Sequence, residues 1–207
     1  QIRTGVVRIT RIGIFGGTFD PPHNGHLALA HAARQVLGLD SVLWVLTSQP
    51  PHKRGLPITP LADRLDMLQA AIANRPEFQL SRVDMQRPPP HYAVDTVRLL
   101  RQQFPDSVLI YLMGSDSLRD LPQWHTPQAF LDVCDALGVM RRPGATDHLD
   151  DLENTLQGIR TKVQFVEAPL MDIASSTLRQ RIAAGLPVHE YIPSAVGQII
   201  RARQLYV

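Results

Sequence analysis

Short apolar runs alternate with amphipathic segments along this sequence, and the alternation limits the folds that it can adopt. The runs at 42–46 and 108–113 contain no charged residue, which is typical of strands that are covered on both faces of a sheet. Between these runs, Leu61, Leu65 and Leu68 recur at helical spacing. Strands that alternate with helices predict an α/β protein with a doubly wound, mostly parallel sheet.

The same patterns predict where the individual elements lie. Strands are expected at 12–15, 42–46, 78–83, 108–113, 136–140 and 162–166. Helices are expected at 26–37, 92–104, near 127–131, at 175–184 and at 193–203. The helix at 175–184 is expected to have a serine cap. A further helix, which carries Leu61, Leu65 and Leu68, is expected to begin with Thr59 as N-cap and Pro60 as first residue. A peripheral helix or a loop is expected at 147–158. Because ligands bind beyond the carboxyl ends of such strands, we expect the polar loops that follow them to converge.

Composition and charge exclude several classes of protein. The chain has 207 residues, of which 44% are hydrophobic, and this predicts a single domain over 1–207. The only cysteine, Cys134, rules out an internal disulfide and favours a cytoplasmic location. No apolar run reaches the roughly 20 residues of a membrane helix, so no membrane partner is expected. A net charge of +2 argues against a nucleic-acid partner.

A glycine pair and two histidines follow the first expected strand. Gly16 and Gly17 would let the backbone turn tightly or approach a ligand closely. His23 and His26 then lie at the start of a helix, where free N–H groups and the helix dipole favour an anion. The imidazoles could be a metal pair, a general base with Asp20 as a weak orienting group, donors to phosphate oxygens, or capping and core residues. Their position after a glycine pair favours the phosphate role.

Polar groups follow two further elements. Gly114 and Asp116 come directly after the fourth expected strand, where a carboxylate can accept hydrogen bonds from ribose hydroxyls; a plain turn explains them equally well. Ser175 and Ser176 begin a helix, with Arg179 one turn later, which is the composition of a second phosphate site. A simple helix cap with a surface arginine is the alternative.

Residues in three separate loops could contact a second ligand. Trp124 and His125 follow a proline in a loop, where an aromatic ring could stack on a planar ligand or cover the core. Arg141 follows a strand, and His52 and Lys53 lie in a proline-rich loop. These charges could bind a phosphate or a carboxylate, or could simply be solvated.

The ordered set of motifs resembles one protein family. Gly-Gly-Thr-Phe-Asp-Pro at 16–21, followed by His-Asn-Gly-His at 23–26, resembles the nucleotidyltransferase superfamily that carries a His-x-Gly-His signature. Within it, the chain is similar to the bacterial nicotinate-nucleotide adenylyltransferases over 12–206. Further motifs of this similarity lie at 50–53, 92–96, 114–118, 122–124, 141–144, 173–179 and 204–206.

The resemblance implies a reaction and roles for residues. The family joins ATP and nicotinate mononucleotide into nicotinate adenine dinucleotide and pyrophosphate, with direct attack on the α-phosphorus. His23, His26 and Arg179 would be catalytic, as groups that hold phosphate and stabilise charge. The implied ATP-binding residues are Gly16, Gly17, Thr18, His23, His26, Gly114, Asp116, Ser175, Ser176 and Arg179. The implied mononucleotide-binding residues are Phe19, Thr47, Ser48, His52, Lys53, Thr96, Trp124, His125 and Arg141.

The resemblance also implies the cofactor and the organisation of the chain. Mg²⁺ would be bound with the ATP phosphates, mostly through water, without a cage of protein ligands. Residues of about 11–170 would form a Rossmann-like nucleotide-binding core. Residues of about 171–207 would form a small C-terminal helical part that completes the ATP site. A homodimer is left open.

A few positions depart from the family pattern. Thr47 and Ser48 stand where many members have two asparagines, and His125 stands where an aromatic residue often follows the tryptophan. These changes affect contacts with the second substrate more than the ATP motif. The alternatives are a sibling enzyme that uses nicotinamide mononucleotide or phosphopantetheine, and a non-catalytic nucleotide-binding sensor.

Overall fold

One parallel sheet of six strands lies at the centre of the described residues, 9–48, 58–141, 149–167 and 173–207, in this computed structural model. The strands are β1 (Arg11–Gly17), β2 (Ser41–Leu46), β3 (Phe78–Ser81), β4 (Val108–Gly114), β5 (Ala136–Arg141) and β6 (Val163–Glu167). All six predicted strands are therefore present, with ends that differ from the prediction by two residues or fewer.

The strand order is β3-β2-β1-β4-β5-β6. Every neighbouring pair is parallel, so the carboxyl ends of all these strands lie at one edge. The chain winds outward from β1 to β3 and then returns to β4, on the other side of β1. Doubly wound sheets bind ligands where the order reverses in this way, which here is the crevice between β1 and β4. The predicted fold class is confirmed.

Helices cover both faces of the sheet. In the described ranges they are α1 (Asn24–Leu37), α2 (Leu61–Ile72), α3 (Ala93–Gln103), α4 (Ser115–Asp120), α5 (Pro127–Val133), α6 (Leu149–Glu153), α7 (Ile159–Lys162), α8 (Ser175–Ala183) and α9 (Ser194–Ala202). One buried cluster joins Met67 of α2 and Val196 of α9 to Trp44 of β2. A second joins Val97 of α3 to Val45, on the opposite face of β2. Burial on both faces explains why the strand runs are continuously apolar.

Two predicted helix caps are wrong. Pro60, and not Thr59, is the N-cap residue of α2, which begins at Leu61. Ala174 is the N-cap residue of α8 and its methyl side chain cannot cap the helix; Ser175 is the first helical residue and donates its hydroxyl to the carbonyl of Pro21. In both cases the residue predicted as a cap makes a tertiary contact instead.

Two other helical segments bear on the predictions. Helix α4 follows β4 without a loop, and the sequence patterns did not predict it. The segment 147–158, predicted as a peripheral helix or a loop, contains the short helix α6 in its described part. Among all described helices, none combines the length and the apolar character needed to cross a bilayer.

A buried arginine joins the loops at the carboxyl edge of the sheet. Arg64 of α2 is 1% exposed. Its guanidinium donates at 2.9–3.0 Å to the backbone carbonyls of Thr18, Thr47, Ser48 and Thr59. Burial lowers the pKa of Arg64, and the negative charge of Asp20 counteracts that effect. The loop after β1, the loop after β2 and the start of α2 are thus held by a single side chain.

Replacing Arg64 by methionine should lower the free energy of unfolding by about 3–5 kcal/mol, because four carbonyls lose their donor and Asp20 loses a nearby positive charge. Urea denaturation measures the change. Arg98→Met is the matched control, since the Arg98 side chain on α3 is 52% exposed, and it should cost less than about 0.5 kcal/mol. An equal loss of unfolding free energy in the two variants would contradict the proposed role of Arg64 in holding the loops together.

Candidate active site

The chain turns sharply after β1. Gly16 and Gly17 are the last two residues of the strand, and neither has a positive φ. The turn occurs at Phe19, which has a φ of 46°. A Cβ on Gly16 would lie 3.1 Å from the Tyr111 hydroxyl, and one on Gly17 would lie 3.0 Å from the Phe19 ring. The glycine pair is therefore needed for close packing, and the tight turn predicted at the pair lies two residues further on.

His23 and His26 cap helix α1 as a reciprocal pair. The Nδ1 atom of His23 accepts from the backbone N–H of His26 at 3.3 Å, and the Nδ1 atom of His26 accepts from the backbone N–H of His23 at 3.2 Å. The two rings stack with their centroids 3.7 Å apart. Phe19 packs edge-on against His26, with 5.2 Å between the ring centroids. The orientation of both imidazoles is thus fixed from several sides.

The caps determine which ring nitrogen carries the hydrogen. A backbone N–H can only donate, so each Nδ1 must present its lone pair. In each neutral ring the proton is therefore on Nε2, and both side chains offer an N–H donor on the nitrogen that the cap does not use. Burial lowers the pKa of His23 to about 4, which keeps that ring neutral near pH 7.

This geometry favours the donor interpretation of the two histidines. A general base needs a free lone pair, but each Nδ1 lone pair is used by a cap and each Nε2 carries hydrogen. Asp20, the predicted orienting group, accepts instead from the Tyr206 hydroxyl and the Thr59 backbone N–H. In the part of the chain that the structure describes, no three His, Cys, Asp or Glu side chains are grouped as metal ligands. Paired N–H donors suit a negatively charged oxygen.

Helix α8 brings further donors to the same loop. The Ser175 hydroxyl donates to the carbonyl of Pro21 at 2.9 Å, and Nη1 of Arg179 donates to the carbonyl of Asp20 at 2.8 Å. Ser176 is exposed in the first turn of the helix. The turn that begins α8 therefore meets the histidine loop, as the predicted convergence at this edge requires.

Gly25 allows α8 to approach the histidines. A Cβ at Gly25 would lie 2.9 Å from Nδ1 of His23 and 2.9 Å from Cγ2 of Ile173, which precedes α8. A methyl group at this position would push the imidazole away from its cap. The glycine between the two histidines is thus a packing requirement.

Gly114 and Asp116 lie across the crevice from β1. Gly114 ends β4 and is the N-cap residue of α4, and a Cβ there would meet no atom within 4 Å. The Asp116 side chain is 89% exposed and pairs with Arg119 at 3.1 Å. Because an exposed ion pair contributes little free energy, the carboxylate can still accept from a ligand. A contact with ribose stays a prediction.

The aromatic loop after α4 packs on the core. Trp124 is half-buried, with its ring centroid 5.2 Å from that of Phe130 and 6.3 Å from that of Tyr111. His125 is exposed and stacks on Tyr92 at 3.9 Å between centroids. Trp124 therefore covers the core, and a stacking contact with a ligand stays a prediction.

Three other residues predicted to bind the mononucleotide are engaged by the protein. Thr96 is 4% exposed and donates to Asp84 at 2.7 Å. The Phe19 ring is buried in the core. Nε of Arg141 donates to Glu167 at 2.7 Å. Each of these side chains therefore already contacts the protein itself. A role for them in binding the mononucleotide stays a prediction.

The loop after β2 is described only in part. The Ser48 hydroxyl lies 3.3 Å from Nδ1 of the buried His91, and the backbone N–H of Thr47 donates to Gly17 at 3.0 Å. His52 and Lys53, predicted to bind the mononucleotide, lie outside the described residues.

Two residues that hold this site together have no role that the sequence patterns predict. Arg64 is three residues from Leu61, on the apolar face of α2, and a charged residue on a core face is a signal that could have found it. Tyr206 contacts Asp20 across a separation of 186 residues, and no local pattern indicates such a pairing.

Comparisons of sequence identify relatives along most of the chain. A family model described as cytidylyltransferase-like matches residues 14–181. A protein from Thermomicrobium roseum, named "Probable nicotinate-nucleotide adenylyltransferase", is 44% identical over 198 residues, which cover 96% of this chain and 92% of that protein. A protein of the same name from Bacillus pumilus is 38% identical over 197 residues, which cover 95% of this chain and 98% of that protein.

Solved structures agree with the fold. Plasmodium falciparum nicotinic acid mononucleotide adenylyltransferase complexed with NaAD has a TM-score of 0.77 at 18% identity, with coverage of 95% of this chain and 97% of that chain. The same enzyme complexed with APC has a TM-score of 0.73 at 18% identity and equal coverage. At this identity the likeness concerns the fold alone. On the family model and the identity to its relatives, the chain belongs to the nicotinate-nucleotide adenylyltransferase family of the cytidylyltransferase-like proteins.

Proposed function

We propose that this chain transfers the adenylyl group of ATP to nicotinate mononucleotide, with release of pyrophosphate and nicotinate adenine dinucleotide, in NAD biosynthesis. The observation that carries the proposal is the pair of stacked imidazoles at the start of α1, each of which uses Nδ1 to accept a backbone N–H and so places its proton on Nε2. The names of the relatives at 38% and 44% identity support the choice of substrates.

The ATP phosphates would lie against the first turn of α1, within reach of the two histidines. Arg179 is anchored through Nη1 on the carbonyl of Asp20, and the rest of its guanidinium fork would bind phosphate oxygens. The free N–H groups that begin α8 would assist, together with Ser176. In this arrangement the C-terminal helical part completes the ATP site, as proposed for 171–207. Gly16, Gly17, Thr18, Gly114, Asp116 and Ser175 are the other residues proposed to bind ATP.

The chemistry requires positioning more than a base. The phosphate of the mononucleotide is already an anion at pH 7, and one of its oxygens would attack the α-phosphorus. The new P–O bond forms opposite the bond to the oxygen that bridges to the β-phosphate, and that bond breaks with its electron pair leaving on pyrophosphate. Neutral Nε2–H donors would stabilise the charge that grows on the α-phosphate oxygens. This role needs no proton transfer from the histidines.

Mg²⁺ is proposed to enter with ATP. Since each histidine Nε2 carries hydrogen and each Nδ1 accepts a cap bond, neither ring offers a lone pair to a metal. The described residues also hold no group of three side chains suited to a metal ion. Such a site fits an ion that is held by phosphate oxygens and water, and that reduces the negative charge met by the attacking phosphate.

The mononucleotide is proposed to bind on the β4 and β5 side of the crevice. Trp124 with His125, and Arg141 at the end of β5, would form one wall of that pocket. Phe19, Thr47, Ser48, His52, Lys53 and Thr96 are the other residues proposed for it. A single domain, a cytoplasmic location and a homodimer stay predictions.

Pyrophosphate release tests the proposed reaction. With ATP and Mg²⁺, kcat/KM should be highest for nicotinate mononucleotide, in a panel that includes nicotinamide mononucleotide and phosphopantetheine. Preference for either of the other acceptors would reassign the chain to a sibling reaction. No turnover with any acceptor would leave only nucleotide binding and would contradict the proposal.

Replacing His26 by alanine should lower kcat by on the order of 10²-fold, because a donor to the transition state is lost. Steady-state kinetics with both substrates measures the effect. His31→Ala is the matched control, since His31 is an exposed residue of the same helix, and it should leave kcat unchanged. A kcat near the wild-type value in the His26 variant would disprove the donor role.

Stability should fall as the pH is lowered from 7 to 5, because of His23. Its pKa is about 4 in the folded protein and 6.5 in the unfolded chain, so the unfolded chain binds a proton in this range and the folded protein does not. The contribution is complete above about pH 6.5 and is lost towards pH 4. Relative to His23→Asn, which keeps a cap acceptor without titrating, the wild type should lose about 2 kcal/mol by pH 5. Parallel denaturation curves for the two proteins would refute the burial effect.

A further inference from the structure

The C-terminal segment returns to the loop that carries the histidines. After α9 the chain reaches Tyr206, which has a φ of 67°. The Tyr206 hydroxyl donates to Oδ1 of Asp20 at 2.6 Å. The other carboxylate oxygen accepts from the backbone N–H of Thr59 at 3.2 Å. Asp20 is 5% exposed, so these two bonds hold a buried carboxylate from two sides.

The backbone of Asp20 faces α8. The carbonyl of Asp20 accepts from Arg179 at 2.8 Å, and the next carbonyl, that of Pro21, accepts from Ser175 at 2.9 Å. The bonds to the carboxylate and the bonds to the two carbonyls are made by neighbouring groups of one short stretch, so holding the Asp20 carboxylate also restrains the backbone that receives Arg179 and Ser175. The position of the Arg179 guanidinium therefore depends on how the Asp20 carboxylate is held.

The tyrosine is suited to be a permanent donor. Burial raises the pKa of Tyr206, and the hydrogen bond to Asp20 raises it further. The hydroxyl consequently keeps its proton, and remains a donor, around neutral pH. A positive charge lies near the contact, because Arg64 is close enough for its pKa to respond to Asp20 and to Tyr206. The buried carboxylate is thereby compensated before an anionic ligand arrives.

We propose that Tyr206 is a positioning residue for ATP: its hydroxyl fixes the Asp20 carboxylate, and the Asp20 backbone in turn fixes Arg179 against the polyphosphate. This inference rests on the proposed function, since that function is what gives Arg179 its ligand. It adds that the end of the C-terminal segment determines how well the ATP half of the site is formed. The wall proposed for the mononucleotide, at Trp124, His125 and Arg141, lies on the β4 and β5 side of the crevice, whereas Asp20 follows β1.

Tyr206→Phe removes one oxygen and tests the proposal by its effect on each substrate. The KM for ATP should rise about tenfold, because a hydrogen bond to a charged acceptor is lost, while the KM for nicotinate mononucleotide stays within about twofold. Assays are run well below the unfolding midpoint of the variant. A KM for ATP that stays at the wild-type value, or an equal rise for both substrates, would overturn the proposal.

A double-mutant cycle with Asp20→Asn tests whether the two side chains act together. Each single variant should raise the KM for ATP, and the double variant should be no worse than the more severe single one, because one removes the donor of the contact and the other removes the charge of its acceptor. Effects that multiply would show two independent roles and would contradict the coupling. If Tyr206→Phe fails to fold, Asp20→Asn alone tests the proposal. A rise in its KM for ATP supports the proposal, and an unchanged KM for ATP contradicts it.

Arg203→Gln separates positioning from simple attachment of the segment. Arg203 ties the same segment to Asp63 and Asp66 of α2 at 2.6 Å, and its side chain is 41% exposed. Loss of these exposed pairs should leave both KM values unchanged. A rise in the KM for ATP equal to that of Tyr206→Phe would show that attachment alone matters, and would overturn the specific role of the hydroxyl.

Failure of the proposed function is distinguished by direct binding. If the wild type turns over no pyridine mononucleotide, calorimetry with an ATP analogue that has a methylene group between the α- and β-phosphates, plus Mg²⁺, still reports on the contact. A dissociation constant about tenfold higher for Tyr206→Phe supports the positioning role without the reaction. Equal dissociation constants, or no binding by the wild type, would reject it.

Discussion

The guanidinium of Arg64 satisfies four backbone carbonyls at the carboxyl edge of the sheet, and the form of the site depends on it. Those carbonyls belong to the loops after β1 and β2 and to Thr59, two residues before α2, so none of them lies inside a strand or a helix. Placing a charge in the interior is costly unless its donors are used, and here the donors are used on the chain itself. The negative charge of Asp20 lowers the cost. One side chain thus holds the loop after β1, the loop after β2 and the approach to α2 together beside β1.

On that surface the two histidines serve structure and chemistry with different atoms. Each Nδ1 caps α1, which leaves each Nε2–H as a donor. Because burial keeps His23 neutral at pH 7, that donor needs no change of protonation to meet an anion. Preorganised dipoles of this kind stabilise charge without reorganisation during the reaction. The helix cap and the proposed catalytic group are therefore one arrangement, and Gly25 supplies the space that lets α8 close against it.

The sequence predicted the strands, the parallel sheet and the position of the histidine motif, because continuous apolar runs and helical spacing are local signals of burial. Its predictions were wrong for helix caps whose residues bond to partners distant in the sequence, and for the position of one turn. Ser175 donates to Pro21 and does not cap α8, and Gly16 and Gly17 stay in the strand while the turn falls at Phe19. The functional roles of the loop residues came from the family resemblance, and for Phe19, Thr96 and Arg141 the structure shows protein partners already in place.

By itself the sequence determined the order of the strands and of the longer helices, and the chemical types that gather at one edge, since periodicity and parallel topology require no knowledge of side-chain contacts. Only the tertiary structure decided which groups hold which. The pairing of Tyr206 with Asp20 spans 186 residues and that of Arg179 with Asp20 spans 159. Hydrogen bonds are short and directional, so they form only after packing has placed their partners. The glycine-rich end of β1 can therefore be read from the sequence, whereas the hydrogen bond from Tyr206 that holds Asp20, in the loop after β1, is seen only in the folded structure.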